Sequence, residues 1–147
     1  MSTAHGGPRT PAHAPALRMG FDLVQISTVA QSLEQFGAAY ERRIFTDDES
    51  RYARSSSALV AQRLAARFAA KEAVMKALQL AETGVGWRDI EVVRQASGDC
   101  EVALHGRAAE AAQVAGAEQI LLSMSHDGDY AGASVCVVFA PPGNGSL

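Results

Sequence analysis

Residues 17–26, LRMGFDLVQI, make a short apolar run interrupted by Asp22 and predict a strand. Apolar and small residues then recur at helical spacing through TVAQSLEQFGAAYERRIF, with Gly37 weakening the middle. TDDE at 46–49 matches a capping box, Thr46 as N-cap and Glu49 three residues on, and starts a short helix to about Arg54. SSS at 55–57 is expected to cap a long helix over roughly 58–79, and Thr83-Gly84-Val85-Gly86 to end that region in a flexible turn. WRDIEVVRQ and DCEVALHG read as strands joined by Ala96-Ser97-Gly98-Asp99. GRAAEAAQVAGA reads as an alanine-rich helix stopped at Gly116. QILLSMSH and YAGASVCVVFA are strands around His126-Asp127-Gly128-Asp129. The order β-ααα-ββ-α-ββ, with strand pairs joined by short loops, predicts an α+β domain: an antiparallel sheet packed with a long central helix and shorter ones. The domain is expected over 17–140. A disordered N-terminal tail at 1–16 and a C-terminal tail at 141–147, begun by Pro141 and Pro142, flank it.

The long helix carries an anomaly. On a wheel with Val60 at zero, Leu64, Phe68, Val74, Met75 and Leu78 fall between ~−40° and ~80° and define a buried stripe. Arg67 at ~−20° and Lys71 at ~20° lie in the middle of it, while Glu72 at ~120° and Lys76 at ~160° run along one edge. An i,i+4 pair worth about 0.3–0.5 kcal/mol accounts for the edge residues. It does not account for two central cations, because desolvating an unpaired charge costs several kcal/mol. Their anionic partner is either a carboxylate of the protein or a ligand.

Composition narrows the classes. The chain of 147 residues is 48% apolar with a net charge of −3, which fits one globular domain and offers no basic footprint for nucleic acid or an anionic membrane. No run approaches the ~20 apolar residues of a membrane span, and MSTAHGGPRTPAHAPA lacks the apolar core of a secretory signal, so a cytoplasmic location is expected. His5 and His13 in that tail are incidental by this reading. Cys100 and Cys136 lack metal-ligand spacing and are expected as buried free thiols.

Two more stretches add candidate chemistry. Asp22 is a lone carboxylate between Phe21 and Leu23. SMSHDGDY brings Ser123, Ser125, His126, Asp127 and Asp129 to the end of a strand. Alone, the first reads equally as a solvated edge residue and the second as a polar hairpin. Two carboxylates from separate elements beside several cations would suit a divalent metal with a phosphate ligand, since Mg²⁺ takes one or two carboxylates, waters and phosphate oxygens.

GFDLVQI, RFAAKEAVMKAL and SMSHDGDYA, in this order and at these separations, resemble the 4′-phosphopantetheinyl transferases, in the short holo-acyl-carrier-protein synthase form. WRDIEV and IFTDDE are similar to further segments of that family, so the resemblance spans roughly 17–140. RFAAKEA with a lysine four residues after its glutamate is the specific part. The resemblance implies an Mg²⁺-dependent enzyme that moves the phosphopantetheine arm of coenzyme A to a serine of an apo carrier protein and releases adenosine 3′,5′-bisphosphate. It implies Asp22 and Glu72 as metal ligands, Arg67 and Lys76 facing the phosphates, and His126 beside the nucleotide. The serine must also lose a proton, and Glu72 through a metal-bound water, or Asp127, is the candidate acceptor by its chemistry. The resemblance also implies a homotrimer with active sites at subunit boundaries, in which Glu72 and Asp22 are expected to meet across two chains.

The chain departs from the pattern at Arg18, at Gln25 and at Thr28, where the family carries a carrier-engaging arginine. Arg42, Arg43, Arg51 and Arg54 are candidates to replace that positive surface. The departures suggest a specialised carrier, from polyketide or peptide synthesis instead of fatty acid synthesis. The competing expectation is an inactive relative that binds coenzyme A or a carrier without transfer.

Overall fold

The structure, a computed structural model, describes residues 16–141. The expected tails, with His5 and His13, lie outside the described residues except for Ala16 and Pro141. The elements in chain order are β1 (Leu17–Gln25), α1 (Ile26–Ile44), α2 (Asp47–Arg54), α3 (Val60–Ala77), a 3-10 turn (Trp87–Asp89), β2 (Ile90–Arg94), β3 (Cys100–Leu104), α4 (Gly106–Ala115), β4 (Ala117–Asp127) and β5 (Tyr130–Phe139). All pairings are antiparallel, as expected for an α+β domain. The strands form two sheets, β1-β5-β4 and the hairpin β2-β3.

α3 lies across the larger sheet. Ala65, Ala69, Ala70, Ala73 and Ala77 are buried on it, and Ala131, Ala133, Val135 and Val137 of β5 are buried on the sheet. Pairing Asp22 with Ala133 and Ala133 with Met124 puts Asp22 on this helix-facing side. The alternate residues of β1, Leu17, Met19, Phe21 and Leu23, therefore point to the other side and are exposed, Met19 to 74%.

Three local expectations change. The Ser55–Ser57 run does not cap the long helix: α3 begins at Val60 with Leu59 as an N-cap that makes no side-chain hydrogen bond, and Ser55 instead ends α2, its hydroxyl donating to the Tyr52 carbonyl at 2.7 Å. Gly37 is a break, not a weak point, with φ 58° and ψ −139°, a conformation open to glycine alone. α1 takes its N-terminal cap from across the fold. Asp129 Oδ1 accepts from the Ser27 N–H at 2.9 Å and Oδ2 from the Ser27 hydroxyl at 2.6 Å. The capping box at Thr46 and Glu49 is present as read. Cys100 and Cys136 are free thiols, half-buried instead of buried.

Candidate active site

β1 and α3 approach closely because of one residue. A Cβ placed on Gly20 would lie 1.9 Å from the Ala73 carbonyl oxygen, inside any allowed contact. Two residues along β1 is Asp22, and one residue before Ala73 is Glu72, so the bare backbone at Gly20 lets the two acids meet. They meet within one chain, which corrects the expectation that they come together across two.

Lys76 completes the group. Its Nζ donates to Asp22 Oδ1 at 2.8 Å and to the Phe21 carbonyl at 3.1 Å. Asp22 Oδ2 is buried and accepts no hydrogen bond from a nitrogen or hydroxyl among the described residues. The Glu72 carboxyl lies close enough to share a proton with Asp22. Burial, then the hydrogen bond and charge of Asp22, push Glu72 up to about 7. Burial also raises Asp22, but hydrogen bonds from Glu72 and Lys76 outweigh it and leave that carboxylate below its usual value. Glu72 is therefore the member that holds the proton.

Two acids share one cationic side chain here, and the buried Asp22 Oδ2 has no nitrogen donor among the described residues. That oxygen set is what a hard divalent cation takes. Among the described residues no group of three or more His, Cys, Asp or Glu is placed to hold a metal. The rest of such a coordination shell falls to water and substrate oxygens, which is the usual arrangement for Mg²⁺.

The two central cations of α3 have different fates. Lys71, fully buried, donates to Glu49 Oε1 at 2.7 Å and to the carbonyls of Trp87 and Ile90. Its partner is an internal carboxylate, not a ligand. Glu49 was legible in the sequence only as a cap; its second role depends on a contact 22 residues away. Arg67, 3% exposed, has no such partner among the described residues. Its Nη1 donates to the Arg63 carbonyl at 3.2 Å, its Nε has no hydrogen-bond partner, and its guanidinium lies 4.4 Å from the Tyr52 ring centre. Arg63 and Arg94 flank the same ring at 4.4 and 5.1 Å. None of the three forms a salt bridge among the described residues. Tyr52, Arg63, Arg67, Met124 and His126 line a cleft of about 270 Å³.

The predicted residues thus fall into three places. Asp22, Glu72 and Lys76 converge at the β1 edge of the sheet. Arg67 and His126 share the cleft at the β4 edge, two strand spacings or roughly 10 Å away. Asp127 lies on the outer side, where it lines an open groove of about 260 Å³ with Phe21, Leu23 and Tyr130. Sequence reasoning missed Arg63 and Arg94, whose only signal was helical spacing from Arg67 and a position on the facing strand. Of the arginines offered as a positive surface, Arg51 pairs with Asp48 and Arg54 with Glu41. Arg42 and Arg43 are exposed and in no salt bridge among the described residues.

Known proteins are similar to this chain in sequence and in fold. The chain is 46% identical over 121 residues to the holo-[acyl-carrier-protein] synthase of Gloeobacter violaceus, covering 82% of this chain and 92% of that one. It is 45% identical over 120 residues to the same enzyme of Koribacter versatilis, covering 81% and 95%. Among solved structures it is similar to an ACPS–CoA complex of Chronobacterium ammoniagenes, with TM-score 0.75, 34% identity and coverage of 85% and 98%. It is also similar to the acyl carrier protein synthase of Mycobacterium tuberculosis, with TM-score 0.65, 36% identity and coverage of 84% and 97%. A family model for the 4′-phosphopantetheinyl transferase superfamily matches residues 18–135, and the chain belongs to that superfamily.

Proposed function

We propose that this chain is a holo-acyl-carrier-protein synthase that transfers the 4′-phosphopantetheine group of coenzyme A to a serine hydroxyl of an apo carrier protein, with Mg²⁺ held by Asp22 and Glu72. The observation that carries the reading is the convergence of Asp22, Glu72 and Lys76 in a chain of this superfamily. In the reaction the serine oxygen bonds to the β-phosphorus of coenzyme A, and the bond from that phosphorus to the bridging oxygen breaks. Adenosine 3′,5′-bisphosphate leaves.

Each residue has a task its surroundings support. Lys76 is more than half exposed at its side chain, so its ammonium is free to move from Asp22 to a phosphate oxygen. Arg67, with Arg63 and Arg94 around Tyr52, offers unpaired positive charge to a phosphate, and His126 at the mouth of the same cleft borders the nucleotide. A divalent cation on Asp22 and Glu72 supplies neutralisation of the charge that grows on the non-bridging oxygens. Two carboxylates are candidates for the serine proton: Glu72 in the cluster itself, and Asp127 on the other side of the sheet.

A homotrimer with sites at its boundaries is part of this reading, and one surface feature supports subunit contact. The exposed apolar row of β1, with Leu121 of β4, is a patch of the kind that marks subunit contact.

Incubation with coenzyme A, Mg²⁺ and an apo carrier, followed by mass measurement of the carrier, tests the function. One added phosphopantetheine is expected. Asp22→Asn is expected to lower turnover at least ~100-fold with the fold retained; tight coenzyme A binding without transfer by the parent chain would refute the enzyme reading.

A further inference from the structure

α3 meets the sheet through methyl groups. Ala65, Ala69, Ala70 and Ala73 are fully buried beside Leu64 and Val74, and their single methyls allow close approach but give few ridges to resist rotation about the helix axis. Burial itself is non-directional. Lys76 makes directional contacts to Asp22 and the Phe21 carbonyl from a half-exposed position, and the directional contact made inside the core is that of Lys71. All three protons of the Lys71 ammonium are used, on Glu49, Trp87 and Ile90. Glu49 is equally buried and is itself held, Oε1 by the Thr46 N–H at 2.9 Å and Oε2 by the Val92 N–H at 3.1 Å. One lysine therefore ties α3 to α2, to the 3-10 turn and to β2.

Stability alone does not explain such a pair. Replacing a buried ion pair by packed apolar side chains is often neutral or stabilising. What the pair adds is a fixed azimuth. Lys71 and Glu72 are consecutive and about 100° apart around the axis, so the angle at which Lys71 meets Glu49 sets the angle at which Glu72 meets Asp22. A rotation of about 15° moves a group ~6 Å from the axis by roughly 1.6 Å. Metal–ligand distances tolerate about 0.2 Å.

We propose that Lys71, anchored by Glu49, is a positioning residue that fixes the Glu72 carboxylate against Asp22 for binding the divalent cation. The inference rests on the reading of Asp22 and Glu72 as metal ligands. It is tested by titrating Mg²⁺ calorimetrically into the full chain saturated with coenzyme A, without carrier, and by steady-state kinetics with carrier. The variant Lys71→Met/Glu49→Gln removes the buried charges together. Glu49→Asp keeps the charge and withdraws the carboxylate by one methylene.

Both variants are expected to bind Mg²⁺ at least ~10-fold more weakly, as removal of groups that orient metal ligands does. Turnover is expected to fall ~10- to 100-fold, with KM for coenzyme A and carrier within about twofold of the parent. Circular dichroism and thermal melting establish that each variant folds, and Glu49→Asp decides the matter if the double variant does not. Parental Mg²⁺ affinity and turnover in a folded variant would overturn the proposal and leave the metal reading standing. Mg²⁺ binding that Glu72→Gln leaves at the parental affinity would sink the metal reading itself.

Discussion

Replacing Glu72 by Gln is expected to stabilise the metal-free protein at alkaline pH while destroying its activity. Glu72 ionises at about 7 in the fold against 4.5 for an ordinary glutamate, because burial and the neighbouring Asp22 both oppose its charge. A folded-state value above the unfolded one means the contribution to stability is intact below about 4.5 and is lost as pH rises through about 7. At about 1.4 kcal/mol per tenfold change in proton affinity, the displacement sets an upper bound near 3 kcal/mol. Glu72 is only partly buried, so solvent screening reduces the expected effect to roughly 1–2 kcal/mol. The assay is urea unfolding of parent and Glu72→Gln at pH 5 and pH 8.5 with chelator, at one fixed protomer concentration. The stability of the Glu72→Gln variant relative to parent is expected to rise by ~1–2 kcal/mol between the two pH values. Mg²⁺ at ten times its dissociation constant should then restore about 1.4 kcal/mol to the parent and little to the variant. A pH-independent difference, or equal stabilisation of both proteins by Mg²⁺, would refute the repulsive two-carboxylate site.

Further outcomes follow from other contacts. Gly20→Ala forces β1 away from the Ala73 carbonyl and is expected to cost about 1–3 kcal/mol by urea unfolding, with weaker Mg²⁺ binding in whatever fraction folds. Arg54 holds Glu41 below its usual value despite burial, so the pair contributes above pH ~4.5 and loses its contribution as pH falls further. Glu41→Gln should accordingly cost about 1 kcal/mol near neutrality and progressively less in acid unfolding experiments. Gln79 follows α3 in a left-handed conformation, φ 55°, and Gln79→Gly is expected to raise stability by about 0.5–1 kcal/mol in thermal melts. Met19→Glu on the outer face of β1 is expected to shift the assembly towards monomer in light scattering and to lower turnover with it.

Much of this protein is written locally. Hydrophobic period, the Thr46–Glu49 box and the glycine-marked turns depend on neighbours within a few residues, so every strand and α-helix could be placed from the chain alone, while the 3-10 turn Trp87–Asp89 was read as the start of β2. The spacing of Glu72 and Lys76 along one helix, with Asp22 in an apolar strand, likewise marked chemistry, and the order of three short motifs was enough to indicate the family. Period tells which side of an element is covered but not what covers it. Two cations in the stripe of α3 therefore looked alike, although Lys71 has Glu49 as its counterion and Arg67 has none in salt-bridge range among the described residues. The same limit hid the capping of α1 by Asp129, 102 residues from Ser27, and left Arg51 and Arg54 as apparent free charge. Asp22 and Glu72 share one chain, and Asp127 sits across the sheet from them, because of strand parity and a missing Cβ at Gly20. Those are distances between residues far apart in sequence, and only the packing of the elements against one another decides them.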